Sequence, residues 1–290
     1  MREAGAASRY HVENPVPVGR FENSSALMGE PVALRARFDE TGYLFLRGVL
    51  DRDILLAIRA RWVAELQREG FMDADENWTG KKIDEVDEDR MHEVLGYDEL
   101  WSAPSTVRLY NLVIDGPIWV FRQVAIRMVP PTVGEYVLPP HQDGTYIGPT
   151  QEFVNVWAPF DEISPETRGG VTLAAGSHRG GAREHVLTDR SPFKLGGIAS
   201  PGVPAELVPE PWLAGDFKPG DLLFFKPYSV HAGLPNLTER NFRLSMDTRI
   251  QPFAAPRGHY ARHTASEHKK IIREAGTWPE ETPESTTFNV

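Results

Sequence analysis

His141 and Asp143 stand two residues apart in 139-PPHQDGTYIG-148, between a Pro-Pro step and a glycine. In extended chain, residues i and i+2 project to the same side, so one imidazole and one carboxylate converge on one point. Both groups bind metals. An HxD pair by itself is most often a polar turn, and only a third ligand in the right place makes it a metal site. The chain has nine histidines and no cysteine, so any ion is held by nitrogen and oxygen alone. Such ligands suit iron(II), manganese or zinc, with geometry deciding among them. His178 and His185 follow the strand-like run 170-GVTLAA-175, and His231 falls just after the apolar run 222-LLFFKP-227, which enters from the turn 219-PGD-221 and reads as a buried strand. The end of a buried strand is where a barrel mouth presents ligands.

His141, Asp143 and His231 make a two-histidine, one-carboxylate set. It occupies one face of an iron(II) ion and leaves the opposite positions open for substrate and dioxygen. With neutral imidazoles and one carboxylate, positive charge remains on the metal and favours an anionic chelating cosubstrate. A second cation must then meet the far end of that cosubstrate. Arg243 lies in 242-FRLSMD-247, the next strand-like run, and an antiparallel hairpin return is expected to bring it alongside the metal. Its planar fork suits a carboxylate, and Ser245, two residues on, faces the same side with a hydroxyl.

The elements that must position these residues follow from the texture of the chain. Residues 1–30 read as an irregular arm. From 31 to 117 the pattern is mostly helical, with helices expected over 31-PVALRARFDETG-42, 51-DRDILLAIRARWVAELQREG-70 and 105-STVRLYNLVIDG-116. In the second of these Asp51 is a capping residue, and Ile54, Leu55, Ile58, Trp62 and Leu66 recur at helical spacing. The stretch 43-YLFLRGVL-50 is strand-like, and 73–100 is acidic and polar. From residue 118 to 252, runs rich in β-branched and aromatic residues alternate with Gly- and Pro-rich turns: 118-IWVFRQVAIRMV-129, 153-FVNVWAPF-160, 170-GVTLAA-175, 222-LLFFKP-227 and 242-FRLSMDTRI-250. Short strands without intervening long helices favour a sandwich or barrel over a parallel sheet. Residues 253–290 form a polar tail with a helix expected over 265–275. The expectation is a single domain across 1–290, mainly β, with the helical part braced against a β-barrel.

Several function classes are excluded or disfavoured by composition. A net charge of -10 gives no general attraction to nucleic acid or an anionic membrane surface. No apolar run has the length of a membrane span. The start, MREAGAASRYHVENP, lacks the apolar core of a signal peptide, so the cytoplasm is the default expectation. Without cysteine there are no thiolate zinc sites or cysteine nucleophiles.

The sequence resembles the phytanoyl-CoA dioxygenase superfamily of iron(II)/2-oxoglutarate oxygenases, and most closely its bacterial branch acting on small molecules of secondary metabolism. The resemblance rests on 43-YLFLRGVLD-51, 141-HQDG-144, 157-WAPFDEISPETRGGVTLAAGSHRGG-181, 219-PGDLLFF-225, 231-HAGLPNLT-238 and 242-FRLSMDTRIQP-252. It implies a double-stranded β-helix, or jelly roll, braced by N-terminal helices. It implies iron(II) on His141, Asp143 and His231, with 2-oxoglutarate and dioxygen as cosubstrates. Arg243 binds the distal carboxylate, with Arg240 and Arg249 as alternatives, and Trp157 packs beside the cosubstrate. The reaction implied is hydroxylation of an unactivated C–H bond, with desaturation, cyclisation and epimerisation as outcomes known in the family. Relatives that halogenate have a small residue in place of the carboxylate ligand, so Asp143 marks an oxygenase.

Four residues, Arg127, Tyr146, His185 and Arg249, are candidates for facing the substrate. Arg122, Arg127 and Arg249 alternate with apolar residues on strands, and one that points inward suits an acidic substrate. His178 is expected to cap a turn, and 84-DEVDEDR-90 to be a solvated face. The segments 73–117 and 186–215 are expected as lids. Two rival readings keep the same fold: a non-oxidative cupin-type isomerase or hydrolase, which needs no partner for Arg243, and a catalytically silent binding protein.

Overall fold

In the computed structural model, residues 15–131, 137–145, 147, 152–187, 194, 195, 198, 199, 201–204, 207–262, 264 and 267 are described. In chain order the elements are β1 (Gly19–Arg20), α1 (Pro31–Thr41), β2 (Tyr43–Leu46), α2 (Arg52–Arg68), α3 (Glu88–Leu95), α4 (Asp98–Trp101), α5 (Pro104–Val113), β3 (Ile118–Val120), β4 (Ala125–Val129), β5 (Val154–Pro159) and β6 (Gly170–Ala174). They continue with β7 (Val186–Leu187), β8 (Lys194–Leu195), β9 (Ile198–Ala199), β10 (Pro201–Gly202), β11 (Trp212–Ala214), β12 (Leu222–Phe225), β13 (His231–Leu234), β14 (Arg243–Pro252) and α6 (His259–Arg262).

The strands form two main sheets. The larger runs β2-β12-β5-β14, with β3 and β4 both paired along β14, and the smaller runs β1-β11-β6-β13. Side-chain alternation explains why two layers form. On β2, β12, β5 and β14 the residues Leu44, Leu46, Leu222, Phe224, Val156, Ala158, Leu244, Met246 and Ile250 pack with the helices in one core. The intervening residues Tyr43, Phe45, Leu223, Phe225 and Trp157 face the smaller sheet and meet Phe21, Val171, Leu173 and Phe217 in a second, aromatic core. Phe217 stands 4.7 Å from Trp157 and 5.0 Å from Phe45 between ring centroids, spacings typical of favourable tilted aromatic pairs. This is the mainly β fold with bracing helices.

Helix α2 begins where Asp51 Oδ1 accepts from the backbone N–H groups of Asp53 and Ile54, at 3.1 and 3.2 Å. Its buried stripe, Leu55, Ile58, Trp62 and Leu66, packs onto the outer face of the larger sheet. Helix α1 ends at Gly42 with φ of 80°, and a Cβ there would lie 2.3 Å from His178 Nδ1, so both conformation and contact call for glycine.

Three expectations need correction. Residues 15–30 are more than an arm: β1 joins the smaller sheet in parallel with β11, and Phe21 is buried in the aromatic core. The run 118–129 is two strands, broken over 121–124, where the chain stays tethered to β14 through Phe121 N–H to Arg249 O at 2.8 Å. Residues 73–117 are described as a brace, not a lid. Their apolar side chains join the core on the far side of the larger sheet, and Glu65 holds Arg90 at 3.1 Å while Arg59 bridges Glu76 and Asp161 at 2.6 and 3.0 Å. The helix expected at 265–275 lies almost entirely outside the described residues.

Candidate metal centre

Two segments bring the candidate ligands together. His141 and Asp143 come from the connection between β4 and β5, and His231 opens β13. The backbones of His141 and His231 exchange N–H to O bonds of 2.9 and 3.0 Å, an isolated antiparallel bridge that sets their rings 4.1 Å apart. Each imidazole is turned by the same device: His141 Nδ1 lies 2.8 Å from Pro139 O, and His231 Nδ1 lies 3.1 Å from Ser229 O. A carbonyl can only accept, so both Nδ1 atoms carry the proton and both Nε2 lone pairs are left for a ligand. Asp143 Oδ1 lies 3.5 Å from His141 Nε2 and 3.8 Å from His231 Nε2. One donor atom from each residue falls within 4.8 Å of the others, the geometry of a candidate metal site.

The second carboxylate oxygen is also committed. Asp143 Oδ2 accepts from Arg249 Nη2 at 2.7 Å. Arg249 in turn meets Asp247 at 3.0 Å and Asn155 at 3.1 Å. Burial alone would raise the Asp143 carboxyl, but Arg249, His141 and His231 together outweigh it and hold the group well below the usual carboxylate range. Burial, with His141 adding, brings His231 down to about 3, which keeps its ring neutral and able to ligate at neutral pH.

One face of β14 presents Arg243, Ser245, Asp247 and Arg249 to the interior. Arg243 is fully buried, donates to Gly170 O at 2.9 Å, and is pulled down to about 10 by burial with Arg127 adding to it. The hairpin expected to deliver it is not there. β13 belongs to the smaller sheet and β14 to the larger, so Arg243 reaches the cavity from the opposite wall. The intervening chain crosses between sheets, pinned by Asn236 Nδ2, which donates to Val129 O at 2.9 Å and Asn241 O at 2.7 Å. The cavity opens to solvent, and about 450 Å³ of space lies between its walls and across its mouth. Its walls include the three candidate ligands with Arg127, Trp157, Arg243 and Arg249.

The donor set fits iron(II) with 2-oxoglutarate. The ligands are two neutral imidazoles and one carboxylate, the set that leaves open positions on non-heme iron. Arg243 Nε and Ser245 Oγ are two of fourteen side-chain polar atoms buried without a hydrogen-bond partner among the described residues. A buried donor costs its desolvation unless a partner meets it. These two lie two residues apart on the interior face of β14.

The remaining site expectations fall as follows. Trp157 lines the cavity. Arg127 lines it too, with a side chain 26% exposed and Nε donating to Asp247 at 2.8 Å. Arg249 is turned to Asp143 and so is placed as a ligand support. His185 faces the ligand loop, where its Nε2 accepts from Gln142 N–H at 3.0 Å. Tyr146 lies outside the described residues. Arg122 is largely exposed and donates to Arg262 O. His178 binds Asp39 O at 2.9 Å, which ties its turn to α1. Gln142, Asn155 and Asp247 were not singled out from sequence. The alternation that marked Arg243 and Ser245 extends to Asp247 and would have marked it.

His231, His185, His178 and His92 all have lowered pKa values, each chiefly from burial. A histidine kept neutral by the fold takes up a proton on unfolding first, so stability falls as pH drops below the unfolded value of 6.5. For His231 the loss amounts to about 1.4 kcal/mol per pH unit, continuing down to about 3. Denaturant unfolding of the metal-free protein is expected to show this decline between pH 6.5 and 4.5. A flat profile there would contradict the burial of these rings.

Comparison with known proteins places this geometry among relatives. The family described as phytanoyl-CoA dioxygenase (PhyH) matches residues 38–245. 1-Deoxypentalenic acid 11-beta-hydroxylase of Streptomyces exfoliatus is 37% identical over 252 residues, covering 83% of this chain and 88% of that protein. The protein of the same name from Streptomyces arenae is 39% identical over 259 residues, with 83% and 88% covered. Among solved structures, the epimerase SnoN in complex with Fe3+, alpha ketoglutarate and nogalamycin RO aligns with a TM-score of 0.56 at 19% identity, over 79% of this chain and 86% of that one. EctD from S. alaskensis, with 2-oxoglutarate and 5-hydroxyectoine, aligns with a TM-score of 0.54 at 18% identity, over 90% and 89%. At such identities the structural likeness is one of fold.

Proposed function

The chain belongs to the phytanoyl-CoA dioxygenase (PhyH) family, and from that premise we propose that it is an iron(II)- and 2-oxoglutarate-dependent oxygenase that hydroxylates a small carboxylic acid of natural-product metabolism, in the cytoplasm. The oxygenase class is carried by the convergence of His141, Asp143 and His231 opposite the orphan donors of Arg243 and Ser245. A non-oxidative cupin-type enzyme has no use for those donors.

The acidic substrate follows from charge. The cavity wall carries three guanidinium groups, Arg127, Arg243 and Arg249, against two carboxylates, Asp143 and Asp247. A divalent ion and a 2-oxoglutarate dianion cancel each other, so one positive charge stays uncompensated. Low-dielectric surroundings penalise that charge, and a monoanionic substrate removes the penalty. Arg127 pairs with Asp247 through Nε at 2.8 Å and Nη2 at 3.4 Å, but it is the most exposed of the three cations, which suits a carboxylate arriving from outside. The Streptomyces relatives are named for an acid substrate, in keeping with this reading.

When bound, iron(II) with 2-oxoglutarate supplies the oxidation: dioxygen puts one oxygen atom into the C–H bond and the other into succinate, with release of carbon dioxide. The chain's own residues do the rest. The two Nδ1–H groups donate to backbone carbonyls, so the rings present Nε2. Arg249 keeps one Asp143 oxygen occupied and leaves the other for the ion. Arg243 and Ser245 hold the far carboxylate of 2-oxoglutarate, and Trp157 walls its flank. Arg127 orients the substrate by its acid group, which fixes which C–H bond stands nearest the metal.

The anaerobic protein with iron(II) and 2-oxoglutarate is expected to show the visible charge-transfer band of the chelate, and admitted oxygen to give succinate. Arg243→Ala should weaken the band by raising the 2-oxoglutarate dissociation constant about 10²-fold, the scale of a lost charge-assisted pair. Arg127→Ala should leave the band intact and raise KM for 1-deoxypentalenic acid, the acid for which the relatives are named, without affecting KM for its methyl ester. Metal bound with neither band nor succinate would overturn the oxygenase reading. An unchanged KM in Arg127→Ala would overturn the acid anchor alone.

A further inference from the structure

Gln142, the residue between the first two ligands, is completely buried, and every polar group of its side chain is used. Nε2 donates to Gly181 O at 2.9 Å and to Tyr228 O at 2.6 Å, while Oε1 accepts from Arg183 N–H at 2.7 Å. Its backbone N–H donates to His185 Nε2 at 3.0 Å, and His185 is held in that tautomer because its Nδ1 lies 2.9 Å from Arg183 O. One side chain therefore joins three loops: the ligand loop itself, residues 181–185 after β6, and residues 226–230, which lead into His231. On the other side of His141, Pro140 O accepts from Val203 N–H at 2.7 Å, at the exit of β10.

These contacts act on the ligands through short covalent paths. Tyr228 O is three residues before His231. The Gln142 Cα is bonded into the same backbone as His141 and Asp143. The His141–His231 backbone bridge and a Gly144 N–H to Pro227 O bond of 2.9 Å join the backbones of the two loops, and the Gln142–Tyr228 bond adds a side-chain attachment between them. The same amide ties both to the loop 181–185. Outer contacts of this kind orient ligands and typically change metal affinity about 10–100-fold when removed.

We propose that Gln142 is a positioning residue of the metal centre: its amide locks the His141–Asp143 loop to the loop carrying His231, with His185 as the brace on the opposite edge. The amide is required because the site needs two donors and one acceptor on a neutral side chain. A carboxylate of the same shape would turn acceptors toward the carbonyls of Gly181 and Tyr228 and add a charge beside the ligands. The proposal rests on the reading of His141, Asp143 and His231 as a metal site.

The test uses cobalt(II), a spectroscopic stand-in for iron(II), and the full chain without oxygen or substrate. Wild type, Gln142→Glu, Gln142→Met and His185→Ala are titrated by calorimetry and by ligand-field absorption, with folding checked by circular dichroism. The expected result is a folded Gln142→Met protein with a cobalt(II) dissociation constant raised about 10–100-fold and a shifted ligand-field band. Gln142→Glu should bind more weakly still, and His185→Ala should show a smaller shift in the same direction. Should the Gln142 variants fail to fold, His185→Ala, which removes the acceptor of the Gln142 N–H and leaves the Gln142 side chain in place, decides by the same two readouts. Wild-type affinity and band shape in the folded variants would overturn the role of Gln142. A wild type that binds no cobalt(II) would instead overturn the metal reading, so the two failures are distinguishable.

Discussion

Asp143→Ala is expected to lose the 2-oxoglutarate chelate band and oxygen-dependent succinate together, with divalent metal affinity reduced by about 10³-fold or more. Tenfold in affinity corresponds to about 1.4 kcal/mol, so this asks about 4 kcal/mol of one side chain. Two effects supply it. The first is the missing ligand: His141 and His231 are neutral donors, and Asp143 brings the only negative charge in the set. The second is what the deletion leaves behind. Arg249 Nη2, 2.7 Å from Asp143 Oδ2, then faces an incoming dication with no carboxylate between them. Like charges in a buried cavity interact far more strongly than in water. Metal-free stability should change less, because Arg249 keeps Asp247 at 3.0 Å and Asn155 at 3.1 Å. Asp143→Asn separates the two effects by keeping the shape while discarding the charge. Anaerobic titration with iron(II), read by the chelate band, measures both variants, and a band retained in Asp143→Ala would place the metal elsewhere.

Much of this site was legible before any coordinates. HxD marked itself because a two-residue spacing in extended chain converges, and His231 because it closes an apolar run. Strand alternation placed Ser245 on the face of Arg243, as found. The helical third was readable from the capping aspartate and the 3.6-residue stripe of α2, which depend only on neighbours in sequence. What failed was relative placement. A hairpin and a crossover between sheets look alike between residues 234 and 243, because both need only a polar turn. The choice is made by Asn236 reaching Val129 O, a partner 107 residues away. The same limit explains the bracing segment 73–117. Its acidic composition suggests solvent, whereas its anchoring ion pairs to α2 appear only when α2 and α3 pack. Gln142 was invisible for a related reason. A glutamine carries no preference in a loop, and its importance lies in partners 39 to 86 residues distant.

Arg249→Leu is expected to be the more damaging substitution for the fold. Arg249 is buried, with a side chain 6% exposed, and stands between two buried carboxylates, Asp143 and Asp247. Removing one member of a buried ion pair typically costs about 3–5 kcal/mol, because the partner keeps its desolvation and loses its compensation. Here two partners lose it at once, although Asp247 retains Arg127 at 2.8 Å, so the upper part of that range applies. Proteins of this size move by about 2–4 °C per kcal/mol, which predicts a fall in Tm of about 10–20 °C for the metal-free chain. Metal binding should become pH-sensitive as well. Arg249 is the foremost group opposing the effect of burial on the Asp143 carboxyl. Without it that carboxyl rises, and a proton on Asp143 then competes with the ion in mild acid, so affinity falls more steeply with pH than in wild type. Arg249→Lys restores the charge but one ammonium cannot reach Asp143, Asp247 and Asn155 together, so an intermediate Tm is expected. Adding Asp143→Asn to Arg249→Leu should recover part of the loss, since Asp143 is the carboxylate left without its guanidinium while Asp247 keeps Arg127, and that non-additivity is measurable as a coupling energy. Calorimetric scans of the four proteins, with iron(II) titrations at pH 7.5 and at about 5.5, test the account. A Tm and metal affinity in Arg249→Leu equal to wild type at both pH values would show that Asp143 is oriented by something other than this guanidinium.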